Sequence, residues 1–143
     1  MVAVDGRGTV RICSPMARGN GACVVHESLQ AGIPGYRVVP FDPRLTLFPP
    51  LLRLVPRPRA DLVHASPDYA VCFRRDGAPL VVTFHSYMLD PAMRASNGLL
   101  RHLHNTTLLR SLTRAALDQA RAVSSVSRFT ADLVRSDLGW NGP

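Results

Sequence analysis

The sequence predicts an α/β fold: a single domain over residues 1–143, with a parallel β-sheet and helices on both faces. Three observations predict it. Short β-branched runs alternate with helical patterns along the whole chain, as layered α/β domains require. Two of those runs, Ala60-Asp61-Leu62-Val63-His64 and Pro79-Leu80-Val81-Val82-Thr83-Phe84-His85, are too short for helices and apolar enough for buried strands, and each ends in a histidine. The connections are short, which favours right-handed crossovers between parallel neighbours.

Thr9-Val10-Arg11-Ile12-Cys13 is expected to be the first strand, followed by a loop from Ser14 to Gly21 that holds Pro15, Gly19 and Gly21. Ala22 to Ala31 reads as a helix, stopped by Gly32-Ile33-Pro34-Gly35. Tyr36-Arg37-Val38-Val39 is a second strand, ended by Pro40. In the proline-rich stretch from Pro40 to Pro58, Pro49 to Val55 can form a short helix, with proline in the first turn where a missing N–H costs nothing. The first histidine strand, Leu62 to His64, comes next. Asp68 to Phe73 reads as a short helix and Arg75-Asp76-Gly77-Ala78 as a turn into the second histidine strand. Ala95 to Ala122 is a long helical region with a break expected at Asn105-Thr106. There Leu108, Leu109, Leu112, Ala115, Ala116 and Ala120 share one face, and Arg110, Arg114 and Arg121 the opposite one. Ala122 to Val126 is the last strand. Ser127 is a candidate N-cap for a helix through Leu138, stopped by Gly139.

Composition narrows the function classes. A 46% hydrophobic chain of this length can bury a sizeable core and is not disordered. No apolar run reaches the roughly 18–20 residues that span a bilayer, and the N-terminus, with Asp5 and Arg7, has no signal-peptide pattern, so a cytoplasmic protein is expected. The net charge is +7, and all 17 basic residues are arginine. They are spread along the chain without aromatic stacking motifs, which argues against nucleic acid as a partner. Solvated surface is the default for the Arg110, Arg114, Arg121 face; peripheral contact with anionic lipid is the sharper alternative. Cys13 and Cys72 lie in apolar segments as small hydrophobes. Cys23 opens a helix whose dipole could lower its pKa, although a packed, unreactive thiol is the simpler reading. No spacing reads as a zinc site, so neither metal nor cofactor is expected.

Ligands of open parallel sheets sit beyond the carboxyl ends of the strands, which makes His85 the leading catalytic candidate and His64 a substrate-binding one. The competing reading, a strand-end histidine satisfied by its own protein, weighs more on His64. Gly19 and Gly21, before a helix, would let backbone N–H groups approach a diphosphate. A dinucleotide fingerprint would need glycine where Val24 stands, although Asp42 lies where a ribose-binding acid would sit. Arg128, at the start of the last helix, is a candidate phosphate contact. His26 and Glu27 lie in the first helix, where one of them should face solvent; neither is a leading candidate.

Four segments carry a family resemblance. Ala60-Asp61-Leu62-Val63-His64-Ala65, Pro79 to His85, Arg121 to Leu133 and Gly19-Asn20-Gly21-Ala22 stand in the order and spacing of the corresponding segments of family-4-like glycosyltransferases. The resemblance runs from about Val10 to Gly139. It implies a Rossmann-like domain corresponding to the N-terminal, acceptor-side half of a GT-B fold. It also implies a retaining transfer of sugar from a nucleotide-sugar donor to a glycan, lipid or small-molecule acceptor, with His85 near the sugar. The paired-glutamate motif of that family's C-terminal domain has no counterpart, because Glu27 is the lone glutamate. The donor-binding domain is therefore expected to be absent from this chain, to be supplied in cis or in trans, and the chain to be inactive alone. A non-catalytic Rossmann-like binding or interaction module is the alternative.

Overall fold

The computed structural model describes residues 8–74, 77–90, 92 and 98–142. Five strands, β1 (Ile12–Ala17), β2 (Tyr36–Phe41), β3 (Leu62–Ala65), β4 (Leu80–Phe84) and β5 (Ala120–Ser125), form one parallel sheet in the order β2-β1-β3-β4-β5. The winding reverses between β1 and β3. That is the topological switch point, the place where open α/β sheets leave a crevice at their carboxyl edge.

β1 continues through Ser14 and Pro15 to Ala17, where the sequence suggests a loop. Pro15 is tolerated because β3 pairs only with Ile12 and Cys13, leaving the rest of β1 bonded on one side. β2 likewise runs through Pro40 to Phe41, on the sheet edge, where a missing donor is harmless. The Ala17 N–H donates to the Tyr69 hydroxyl at 3.3 Å, so a tyrosine from the next connection takes up a group that β3 does not reach. At the opposite edge, the Arg11 guanidinium donates to Asp61 at 2.8 and 3.1 Å and pins the start of β3 beside β1. This explains the aspartate of the Asp61-Leu62-Val63-His64 run as a strand clamp.

α1 (Gly21–Gly32) is capped by Asn20, whose side chain accepts from the Cys23 N–H at 2.8 Å. Gly35 turns the chain into β2 at φ +81°, and a Cβ there would stand 2.2 Å from the Val10 carbonyl oxygen. The proline-rich stretch folds as two 3-10 turns, Pro43–Leu47 and Pro49–Leu54, and a third covers Ala70–Phe73. Asp42 caps the first of them by accepting from the Arg44 N–H at 2.8 Å, a local duty in place of a ribose contact.

The helical region contains α2 (Leu99–His104), a π-helical turn over Asn105–Leu109 and α3 (Arg110–Gln119). The Thr106 and Thr107 hydroxyls donate back to the His102 and Leu103 carbonyls at 2.9 and 2.7 Å. Asn105-Thr106 therefore widens the helix without ending it. The expected arginine face does not survive. Arg110 is half-buried and pairs with Asp137 at 2.9 Å, and Arg121 lies in β5. Asn105, Leu109, Thr113, Ala116 and Leu117 are the buried side chains here. α4 (Arg128–Leu138) is capped by Ser127, which accepts from the Thr130 N–H at 3.1 Å, and ends at Gly139. The expected helix start at Ala95 and the Arg75-Asp76 half of the turn lie outside the described residues.

The two faces of the sheet differ in chemistry. Cys13, Val39, Phe41, Val63, Ala65, Leu80, Val82 and Phe84 point to one face and pack with the 3-10 turns, Leu109, Leu117 and Val134 into the apolar core. The alternate residues of the same strands, Ser14, Tyr36, His64, Thr83 and Ser124, share the other face by register. α1 covers part of this face, and of its twelve residues only Cys23 and His26 are buried.

Candidate functional site

His26 reaches from α1 onto the polar face of the sheet and is fully buried, at 0% exposure. Its Nδ1 lies 2.6 Å from the Ser14 hydroxyl and 2.7 Å from the Tyr36 hydroxyl. Its Nε2 lies 2.9 Å from Nε2 of His85. The Tyr36 hydroxyl also lies 2.7 Å from Nδ1 of His64. Nε2 of His64 lies 2.7 Å from the Thr83 hydroxyl, which lies 2.7 Å from that of Ser124. One unbroken hydrogen-bonded chain thus runs from His85 through His26, Tyr36, His64 and Thr83 to Ser124, with Ser14 as a side branch. It joins α1 to all five strands or their ends.

Burial sets the charge of this chain. It depresses His26 to about 3 and His64 to about 4, with the neighbouring imidazoles adding to the effect. His85, half-buried, is also lowered by burial. The rings are neutral at physiological pH. Burial raises the Tyr36 phenol to about 12, so it stays protonated. Neutral imidazoles and hydroxyls can each donate and accept, which lets both ring nitrogens of His26 and of His64 be paired inside so polar a layer.

The residues singled out in the sequence fall in three places. His85 follows β4 at the carboxyl edge and presents its ring beside α1. Gly19, at φ +79°, and Gly21, the first residue of α1, follow β1 at the same edge, and a Cβ on either would meet open space. Arg128, exposed, opens α4 after β5, again at that edge. Parallel pairing throughout is what gathers them on one side of the sheet. His64 sits within β3, with both ring nitrogens engaged by Tyr36 and Thr83. Val24 is 61% exposed on the outer side of α1, so it does not take the packing role of a fingerprint glycine. Cys23 fits the packed reading and not the dipole one: it is buried, and burial and the Glu27 carboxylate, 3.6 Å from its sulfur, push the thiol up. Asp68, in the connection after β3, has its carboxyl pushed up to about 6 by burial. Among the described residues, no group of three or more His, Cys, Asp or Glu side chains could hold a metal ion.

Reading from the sequence missed His26, Ser14 and Tyr36. A signal was there: Ser14, His64 and Thr83 are isolated polar residues between apolar neighbours, which on a strand marks one shared face. Only the register shows that these faces coincide and that His26 stands over them.

The family model of Glycosyltransferase Family 4 matches residues 6–142, nearly the full chain. No curated protein and no solved structure gives a significant match. The matched span contains the glycine turn, both histidine-ended strands and the start of α4. With its five-stranded parallel sheet and that match, the chain belongs to Glycosyltransferase Family 4.

Proposed function

We propose that this domain forms the acceptor-side wall of a retaining glycosyltransferase that takes its sugar from a nucleotide-activated donor. The observation that carries the proposal is that Gly19, Gly21, His85 and Arg128 all lie at the carboxyl edge of the sheet, with Gly19 and Gly21 at its switch point. Backbone N–H groups at the start of α1, with no side chain at Gly19 or Gly21, would approach a diphosphate, where the helix end favours negative charge. His85 would orient a sugar or acceptor hydroxyl, which is how positioning lowers a transfer barrier. Arg128 would add a charge to a phosphate on donor or acceptor. His64 would serve from behind, through Tyr36 and Thr83. Completing the cleft would require a second, donor-binding domain in cis or in trans.

Titration calorimetry of this chain with a panel of nucleoside-diphosphate sugars, paired with a sugar-transfer assay, tests the reading. Weak diphosphate-dependent binding and no transfer are expected. Transfer by the chain alone would overturn the requirement for a second domain. A second reading, a non-catalytic interaction module, is favoured by one observation. Leu47, Phe48 and Leu54, in the connection after β2, are 67%, 59% and 76% exposed and would suit a partner chain. Self-association in sedimentation without any nucleotide-sugar binding would favour that alternative. Among the described residues, no helix is long and apolar enough to cross a membrane. Peripheral contact with anionic lipid would have to use cations other than Arg110, which pairs with Asp137.

A further inference from the structure

We propose that His26, Tyr36, His64 and Thr83 form a reversible hydrogen-bond relay that fixes which ring nitrogen of His85 carries its proton and couples that choice to Ser124 on the edge strand β5. Donor and acceptor bookkeeping leads to it. Each neutral imidazole has one N–H and one lone pair, and each hydroxyl has one proton. Every link in the chain joins two groups that can exchange roles, at 2.7 to 2.9 Å.

With Tyr36 donating to one ring and accepting from the other, and Thr83 doing the same between His64 and Ser124, two arrangements satisfy every link with neutral rings. In the first, all bonds point toward His85. Ser124 donates to Thr83, Thr83 to Nε2 of His64, Nδ1–H of His64 to Tyr36, Tyr36 to Nδ1 of His26, and Nε2–H of His26 to Nε2 of His85. The His85 proton is then on Nδ1. In the second, every bond points the other way. His85 donates from Nε2 and holds a lone pair at Nδ1. Nδ1 of His26 has one lone pair or one N–H, so Ser14 and Tyr36 share it as a three-centre bond, both donating in the first arrangement and both accepting in the second. A link that reverses alone leaves a hydroxyl accepting twice with its own proton displaced from the chain, or sets two donors or two lone pairs face to face, so the links favour reversing together.

Passing between the arrangements is balanced. From first to second, Ser124 takes a proton from water as it passes its own to Thr83. Each later link hands its proton on, and one proton leaves Nδ1 of His85. The reverse passage takes a proton at Nδ1 of His85 and returns one to water at Ser124. Ser124 is exposed and so able to exchange with solvent. Among the described residues, Nδ1 of His85 has no hydrogen-bond partner, so it is the nitrogen left for a ligand. The relay therefore sets whether His85 offers a ligand hydroxyl a donor or an acceptor. His26, Tyr36, His64 and Thr83 are positioning residues in this scheme. The relay does not depend on the transferase reading, because its state is legible in the free protein.

The test is long-range proton–nitrogen correlation spectroscopy of the protein labelled with ¹⁵N-histidine, at pH 7.5 and without ligand. Both arrangements give His26 the tautomer opposite to that of His64 and of His85. The fraction of Nε2–H at His26 should thus equal the fraction of Nδ1–H at the other two. Tyr36→Phe cuts the middle link. His64 should then lose its match to His26, while His26 and His85 stay opposite. Thr83→Val, at a half-exposed site, keeps the test available if Tyr36→Phe does not fold. It should move the tautomer fractions of all three rings together. Like tautomers at His26 and His64 in the unmodified protein would overturn the relay. So would a Thr83→Val response confined to His64, or a Tyr36→Phe variant with all three fractions unchanged.

Discussion

Nε2 of His26 lies 2.9 Å from Nε2 of His85, so the ring at the end of β4 is held by a fully buried ring from α1. The contact joins the helix that follows the glycine turn to the strand end that faces the crevice. Stability and function therefore meet in one side chain, and changes at His26 should register in both.

His26→Ala removes a buried ring and takes a partner from Ser14, Tyr36 and His85 at once. The cavity and the stranded hydroxyls act in the same direction, for a loss of about 3–5 kcal/mol. Urea unfolding followed by circular dichroism measures it. A loss under about 1 kcal/mol would mean that water fills the layer at little cost.

Acid should unfold this domain early. His26 at about 3 and His64 at about 4 both lie below the ordinary histidine value of 6.5. Between those limits the unfolded chain binds protons that the folded chain refuses. The contribution is thus whole above about 6.5, shrinks as pH falls, and is spent below about 3. Asp68, raised to about 6, works against it over part of the range, because the folded chain holds that proton more tightly. With two buried histidines against one carboxyl, the net effect is a loss on the order of 3 kcal/mol between pH 7 and pH 4. Denaturant midpoints measured across that range should fall. A flat or rising series would contradict the neutral-ring layer.

The caps offer a smaller, cleaner measurement. Asn20 and Ser127 each accept from a first-turn N–H, at 2.8 and 3.1 Å. Asn20→Ala and Ser127→Ala should each cost about 1 kcal/mol. The two caps lie on separate helices at opposite ends of the chain, so the double variant should lose close to the sum. Strong non-additivity in the double variant would show that the two helices are energetically coupled.

Much of the fold was legible because its signals are local. β-Branched runs, the Gly32–Gly35 stop and the Ser127 cap depend on neighbours in sequence. The misses came from long-range relations. Pro15 and Pro40 read as strand ends, and only the strand order shows that each lies where one side of its strand goes unpaired. Arg110, Arg114 and Arg121 read as one helical face, but Asp137, far along the chain, claims Arg110, and the helix ends before Arg121. His85 was legible from its strand-end position. His26 was not, because a lone histidine in an amphipathic helix gives no sign of what lies beneath it. Ser14, Tyr36 and His64 come from three separate strands and meet only through parallel pairing.

The glycines separate backbone strain from ligand approach. Gly35→Ala combines φ +81° with a Cβ 2.2 Å from the Val10 carbonyl oxygen, so the backbone must move, at a cost of about 3 kcal/mol or more. Gly19→Ala, at φ +79° in open space, pays only for its conformation, about 1–2 kcal/mol. Gly21→Ala has neither penalty and stands at the first position of α1, so its stability should change by less than about 0.5 kcal/mol or improve slightly. That makes Gly21→Ala the informative variant for nucleotide-sugar binding. A methyl at the start of α1 would stand where the diphosphate is proposed to meet the backbone. Affinity for a nucleoside-diphosphate sugar should fall at least tenfold, about 1.4 kcal/mol, with the unfolding midpoint unchanged. If affinity and stability both hold, the diphosphate does not approach Gly21, and the glycine turn serves only to start the helix.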